Sequence, residues 1–173
     1  MCGICGIWGA GPADDGASRL GAMLASVAHR GPDHEARLSR PGVELGMRRL
    51  ASIDIGGGTQ PVVNEAGTVG VVFDGEVDNF PELRARLEAN GHRFATRSDT
   101  EVLAHGYEQW GEDLPHELSG TFAFAVWDSR SNRLLVVRDR FGEKPLYWAR
   151  LDGEIVLPRD RVPAAGRGVG RPR

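Results

Sequence analysis

Residues Val69-Gly70-Val71-Val72-Phe73 form a near-continuous apolar run that passes directly into Asp74-Gly75-Glu76. A strand without polar alternation is one buried on both faces. Any fold of this chain must therefore cover it from two sides, with the polar residues at the mouth of a core strand. Thr121 to Trp127 repeats the pattern and, with Arg133 to Arg138, predicts a hairpin of buried strands turning near Ser129 to Asn132. Ile4 to Trp8 reads as a short buried strand, and Val43 to Ile55 as a strand ended by Gly56-Gly57-Gly58. Pro145 to Ala149 and Glu154 to Val156 predict a further hairpin around Asp152-Gly153, a favoured turn pair. Three helices lie between these runs. Ala17 to His29 spaces Leu20, Met23, Leu24 and Val27 as one apolar stripe. A second helix starts at Asn79 as N-cap, turns Leu83 and Leu87 inward and ends at Asn90-Gly91. A third opens with a Ser98 to Glu101 capping box and runs through Trp110. Strand runs dominate and helices do not alternate with them one for one, which predicts an α+β fold of layered, mostly antiparallel sheets.

At 173 residues the chain suits one domain with a real core. Its net charge of -3 makes no electrostatic case for nucleic acid or an anionic membrane as partner. No signal peptide precedes Cys2, no apolar run approaches the ~18 residues that span a bilayer, and two cysteines do not make a disulfide framework. The expected compartment is the reducing cytoplasm, which keeps a thiol usable.

The chemistry concentrates at Met1-Cys2-Gly3-Ile4-Cys5-Gly6. Cysteine is small enough for methionine removal, after which Cys2 carries both a thiol and the chain's α-amino group. The thiolate is a strong nucleophile, and an α-amine with a pKa of roughly 7.7–8.0 is a suitable general base at neutral pH. Nucleophile and base then come from one residue. The competing reading of Cys2-x-x-Cys5 is a redox or zinc half-site. A structural zinc site needs four ligands, and His29, His34, His92, His105 and His116 show no paired ligand spacing, so no metal is expected. Arg48 and Arg49, adjacent in a strand, point to opposite faces, which allows one to be solvated while the other faces a pocket.

Seven blocks in order carry a family resemblance: Cys2 to Gly6, His29-Arg30-Gly31-Pro32-Asp33, Arg48-Arg49-Leu50, Gly58-Thr59-Gln60-Pro61, Phe73-Asp74-Gly75-Glu76, Arg97 to Val102 and Arg138 to Tyr147. Together they resemble the glutamine-hydrolysing domain of the asparagine synthetase family, a class II amidotransferase. The resemblance covers Cys2 to Val156, so residues 2–156 are expected to form that domain. It implies an αββα sandwich of two antiparallel sheets, with Cys2 attacking the side-chain amide of glutamine. It also implies that Arg49 pairs with the substrate α-carboxylate, that Glu76 and Asp99 receive its α-ammonium, and that Gly75 gives a backbone N–H to the oxyanion. No cofactor is implied for this domain. ATP and magnesium belong to the second, synthetase domain of full-length relatives, and a synthetase-domain subunit acting in trans is a candidate partner.

The pattern departs from the family in several places. Asp74 stands where the family has Asn, whose amide donates to the oxyanion. A carboxylate only accepts, so Asp74 removes a donor and places negative charge where negative charge develops. Met47 replaces a usual His, and Asp78 a usual Tyr. Residues 157–173, rich in Arg, Gly and Pro, are expected to be a disordered tail in place of a synthetase domain. Codons permitted for Val156 to Arg161 also encode, one base later, Phe-Ser-Pro-Glu-Ile, close to the family's continuation. This suggests a frameshift and predicts synthetase-like sequence in the shifted frame downstream. Two readings result. One is a glutaminase weakened by Asp74; the other is a degenerate, non-catalytic fragment that keeps the fold and binds glutamine or a synthetase partner.

Overall fold

The computed structural model describes residues 2–9, 15–50, 59–158 and 169–170. Strands β1 (Gly3–Trp8), β2 (His34–Arg40) and β3 (Val43–Arg49) follow one another around helix α1 (Gly16–Ser26), which lies between β1 and β2 in sequence. Strands β4 (Val62–Val63) and β5 (Val69–Val77) lead into helices α2 (Phe80–Ala89) and α3 (Asp99–Trp110) and a short α4 (Leu114–Glu117). Strands β6 (Gly120–Asp128), β7 (Arg133–Arg138), β8 (Trp148–Leu151), β9 (Glu154–Leu157) and β10 (Val169–Gly170) complete the order. They pair antiparallel as two sheets, β10-β8-β9-β1-β3-β2 and β4-β5-β6-β7.

Strand periodicity explains the layering, because alternate residues of each strand enter different cores. In β6, Phe122, Phe124 and Val126 pack with Val71 and Phe73 of β5 beneath Leu83 and Leu87 of α2 and Val102 and Leu103 of α3. The intervening Ala123, Ala125 and Trp127 face the first sheet and meet Ile4, Leu45 and Met47. A third cluster, Cys5 with Leu20, Leu24 and Val27, joins α1 to the outer side of the first sheet. The result is helix, sheet, sheet, helix, as the resemblance implies. Met47 is fully buried between the sheets, which accounts for an apolar residue there.

Several local expectations change. The run from residue 69 does not stop at Phe73: β5 continues through Asp74, Gly75 and Glu76, each paired with β6. Strand β2 carries Leu38 as its one fully buried side chain, so a polar edge strand gave little periodic signal. Asn79 precedes α2 without capping it through its side chain. Its amide instead bridges to the β6 approach, donating to the Glu117 carbonyl at 2.9 Å and accepting from the Ser119 N–H at 2.9 Å. Ser98 does cap α3, accepting from Thr100 N–H at 3.2 Å. Glu101 does not close the box; its carboxylate accepts from the N–H groups of Ala95 and Thr96 at 2.6 and 2.7 Å. Asp152 and Gly153 both have positive φ, 50° and 92°, as the predicted two-residue hairpin requires. The Val43 to Ile55 strand is seen as far as Arg49; the Gly56-Gly57-Gly58 turn lies outside the described residues. Of the predicted tail, Leu157 completes β9 and Val169–Gly170 pairs with Trp148 and Ala149, while 159–168 and 171–173 lie outside the described residues.

Candidate active site

A pocket of about 580 Å³ opens where β1 and β3 of the first sheet meet β5 of the second. Cys2, Arg49, Asp74, Gly75, Glu76 and Asp99 all line it. These six residues are brought together from four separate elements, and all six are the ones singled out from sequence.

Cys2 sits just before β1 and is partly buried against the inter-sheet core. Cys5 is fully buried and packs under α1 on the other side of the sheet. Three residues along a strand reverses the face, so the two thiols cannot share a metal or a disulfide. The adjacent arginines divide in the same way. Arg48 turns toward α1, with Nη2 2.5 Å from Glu35 and Nε donating to the Leu24 carbonyl, and Arg49 lines the pocket.

Gly75 has φ of +147°, and a Cβ there would lie 2.1 Å from the Thr121 carbonyl oxygen. No other residue fits that backbone. Asp74 is buried, and its Oδ1 accepts from the backbone N–H of Cys2 at 3.1 Å. That nitrogen is the one that becomes the α-amine when Met1 is removed. Asp99 begins α3 and accepts from the Val77 N–H at 3.3 Å. Burial holds its carboxyl above the usual carboxylate range, outweighing hydrogen bonds from Val77, Thr100 and Ser98, and the charge of Glu76 pushes the same way.

Residues 1–161 match the glutamine amidotransferase domain family. The chain belongs to that family. It is a class II domain related to asparagine synthetases. It is 37% identical over 164 residues to asparagine synthetase [glutamine-hydrolyzing] 1 of Bacillus subtilis (strain 168), an alignment covering 93% of this chain and 26% of that protein. It is 42% identical over 159 residues to the asparagine synthetase [glutamine-hydrolyzing] of Sandersonia aurantiaca, covering 90% of this chain and 30% of that one. The chain thus spans about a quarter of the length of the curated relatives it matches. In fold it is similar to the glutamine phosphoribosylpyrophosphate amidotransferase of B. subtilis, with a TM-score of 0.72 at 22% identity over 90% of this chain and 41% of that one.

Other motif residues of the amidotransferase domain support the pocket. Gln60 is buried and donates to Thr100 Oγ1 at 3.2 Å while accepting from the Phe73 N–H at 2.7 Å, so it ties α3 to β5 in the pocket wall. Gly31 packs on the backbone of Arg48 and Arg49, where a Cβ would approach within 2.3 Å, so the segment after α1 braces the strand end bearing Arg49. The Arg138 block forms a compact loop around Asp139, whose carboxylate accepts from the N–H groups of Phe141, Glu143 and Lys144 at 3.0–3.1 Å. That loop delivers Lys144 to the pocket. Sequence reasoning assigned none of these roles, because each depends on what the residue touches across the fold. His92 and His105, which no ligand spacing links in the sequence, approach within 3.3 Å through their Nδ1 atoms. Among the described residues, no helix is long and apolar enough to cross a membrane.

Proposed function

We propose that this domain hydrolyses glutamine to glutamate and ammonia with Cys2, exposed by removal of Met1, as the nucleophile. The observation that carries the reading is the convergence of Cys2, Arg49, Gly75, Glu76 and Asp99 on one pocket. Arg49 arrives from the first sheet, and Glu76 and Asp99 from the second sheet and its helix. A zwitterion lying between would meet a guanidinium on one side and carboxylates on the other. The planar fork of Arg49 suits an α-carboxylate, and two acidic side chains suit an α-ammonium.

In the reaction, the α-amine takes the thiol proton as the sulfur attacks the amide carbon. The Gly75 N–H stabilises the oxyanion of the tetrahedral intermediate. The proton passes to the leaving nitrogen, ammonia departs, and a thioester remains on Cys2. Water, deprotonated by the same amine, attacks the thioester and releases glutamate and the thiol. ATP and magnesium have no part in these steps; they are assigned to a synthetase domain or to a synthetase subunit acting in trans. Asparagine synthesis by a longer protein or a complex is the corresponding proposal for the ammonia.

Asp74 weakens this chemistry twice. It offers no donor to the oxyanion, and in the mature chain its carboxylate meets the α-ammonium through the 3.1 Å contact with the Cys2 nitrogen. A paired ammonium holds its proton and is a poor base. This contact favours a second reading, a domain that binds glutamine without turning it over, since ground-state binding and transition-state binding are separable. The test is glutamate release by chain whose Met1 removal is confirmed by mass spectrometry, beside Cys2→Ala, with calorimetric titration of glutamine on both. Release abolished in Cys2→Ala supports the enzyme. Binding without release supports the second reading.

A further inference from the structure

His92 follows the end of α2, and His105 and Glu108 share one face of α3. None of the three lines the pocket. His105 Nδ1 lies 3.3 Å from His92 Nδ1 and 3.4 Å from Glu108 Oε2, and His92 Nδ1 lies 4.0 Å from the same oxygen. Ligand atoms about 2.0–2.1 Å from a tetrahedral zinc ion stand about 3.3–3.4 Å apart. Two of the three separations match that edge, and the third, at 4.0 Å, is longer by about 0.6 Å.

The outer atoms decide how these three present themselves. His92 Nε2 faces Gln109 Oε1 at 3.4 Å, and His105 Nε2 faces Glu101 Oε1 at 3.7 Å. With the proton on each Nε2, His92 donates to Gln109 Oε1 and both Nδ1 lone pairs point inward. Asn64 Nδ2 donates to Glu108 Oε1 at 2.6 Å and so turns Oε2 toward the imidazoles. In that tautomer three acceptors converge on one point, the arrangement that coordinates a cation. His105 is buried and rests on the Phe94 ring, while the side chains of His92 and Glu108 are 17% and 20% exposed, so one side is open to water.

We propose that His92, His105 and Glu108 form a site for a divalent transition-metal ion, zinc by its donor set, with water as the fourth ligand. The ion clamps the segment after α2 to the middle of α3. That segment already hangs on α3 through the bonds from Ala95 and Thr96 to Glu101, and α3 begins at Asp99 in the pocket. Three protein ligands and a water leave one position open, and binding there does not depend on whether the pocket hydrolyses glutamine.

The test uses the untagged 173-residue chain carrying Cys2→Ala, stripped of metal by chelation and titrated with zinc against a chromophoric chelator. We expect one ion per chain with a dissociation constant of about 10 μM or lower, and a melting temperature that rises with zinc. Cobalt in place of zinc should give the intense visible bands of a four-coordinate ion without thiolate charge transfer. His92→Ala and Glu108→Gln should each weaken binding by more than the ~10–100-fold that loss of an outer partner costs, and Asn64→Ala by an amount within that range. The cobalt spectrum of the parent needs no further variant to fold. Absence of stoichiometric binding overturns the proposal. So does binding that survives both His92→Ala and Glu108→Gln.

Discussion

Asp74→Asn should turn a weak or silent glutaminase into a faster one. The substitution is nearly isosteric, and the structure shows how it would sit. Oδ1 can continue to accept from the Cys2 nitrogen at 3.1 Å, which leaves the new amide N–H₂ in place of the second carboxylate oxygen. A restored oxyanion donor contributes on the order of 10²–10³ in rate, about 2.7–4 kcal/mol. Removing the charge adds to this. A carboxylate and an oxyanion about 4 Å apart repel by roughly 4 kcal/mol at an effective dielectric of ~20. A quarter of that, about 1 kcal/mol after screening and relaxation, is a further factor of about 5. The α-amine, no longer facing a carboxylate, also becomes the better base. The expected gain in kcat is therefore at least about 10², with little change in glutamine affinity, since Arg49, Glu76 and Asp99 are untouched. The assay is glutamate release by both proteins with Met1 removal confirmed, alongside calorimetric affinities. Equal kcat values in the two proteins would refute the reasoning, as would a gain that appears entirely in KM.

Glutamine affinity should fall on acidification at a higher pH than an ordinary carboxylate would give. Burial raises Asp99, so it protonates early and stops attracting the substrate ammonium. For stability the same shift has the opposite sign. The folded state holds a proton that the unfolded state has lost, a contribution that fades as pH rises through the window above about 4. Calorimetry across that window checks the first effect, and an Asp99→Asn comparison should flatten it. Asp139 behaves conversely. Burial alone would raise it, but N–H donors of Lys144, Glu143, Gly142 and Phe141 hold its carboxyl below the usual range. Its contribution is present above the unfolded value and lost as pH falls through the folded one. Asp139→Asn should cost about 2–4 kcal/mol at neutral pH in denaturant unfolding, with the gap closing in acid. Gly75→Ala should cost roughly 3 kcal/mol or more and disrupt the β5–β6 pairing, because its Cβ would lie 2.1 Å from a carbonyl oxygen at a φ of +147°. A variant that melts with the parent would contradict that geometry.

Much of this was legible along the chain. Apolar runs such as Val69–Phe73 and Thr121–Trp127 announce strands buried on both faces, because a side-chain period of two leaves each face its own core. The turn pair Asp152-Gly153 and the Ser98 cap are local chemistry and read correctly. A candidate nucleophile that would stand next to the chain's own amine can be located by counting, and Cys2, picked out in that way, lines the pocket. The adjacency of Arg48 and Arg49 showed that they diverge, but not which of them enters the pocket. That was decided by Glu35 and the Leu24 carbonyl, which draw Arg48 away. Glu101 has the spacing of a capping residue, but its carboxylate reaches past the cap to the N–H groups of Ala95 and Thr96 in the preceding loop. His92 and His105 lie thirteen residues apart with no periodic relation, and the packing of the segment after α2 on α3 makes them neighbours. Periodicity, capping and turn chemistry depend on residues a few positions apart and can be read in one dimension. Convergence of side chains from separate elements depends on how twisted sheets and helices close around shared cores, so only the folded chain decides it.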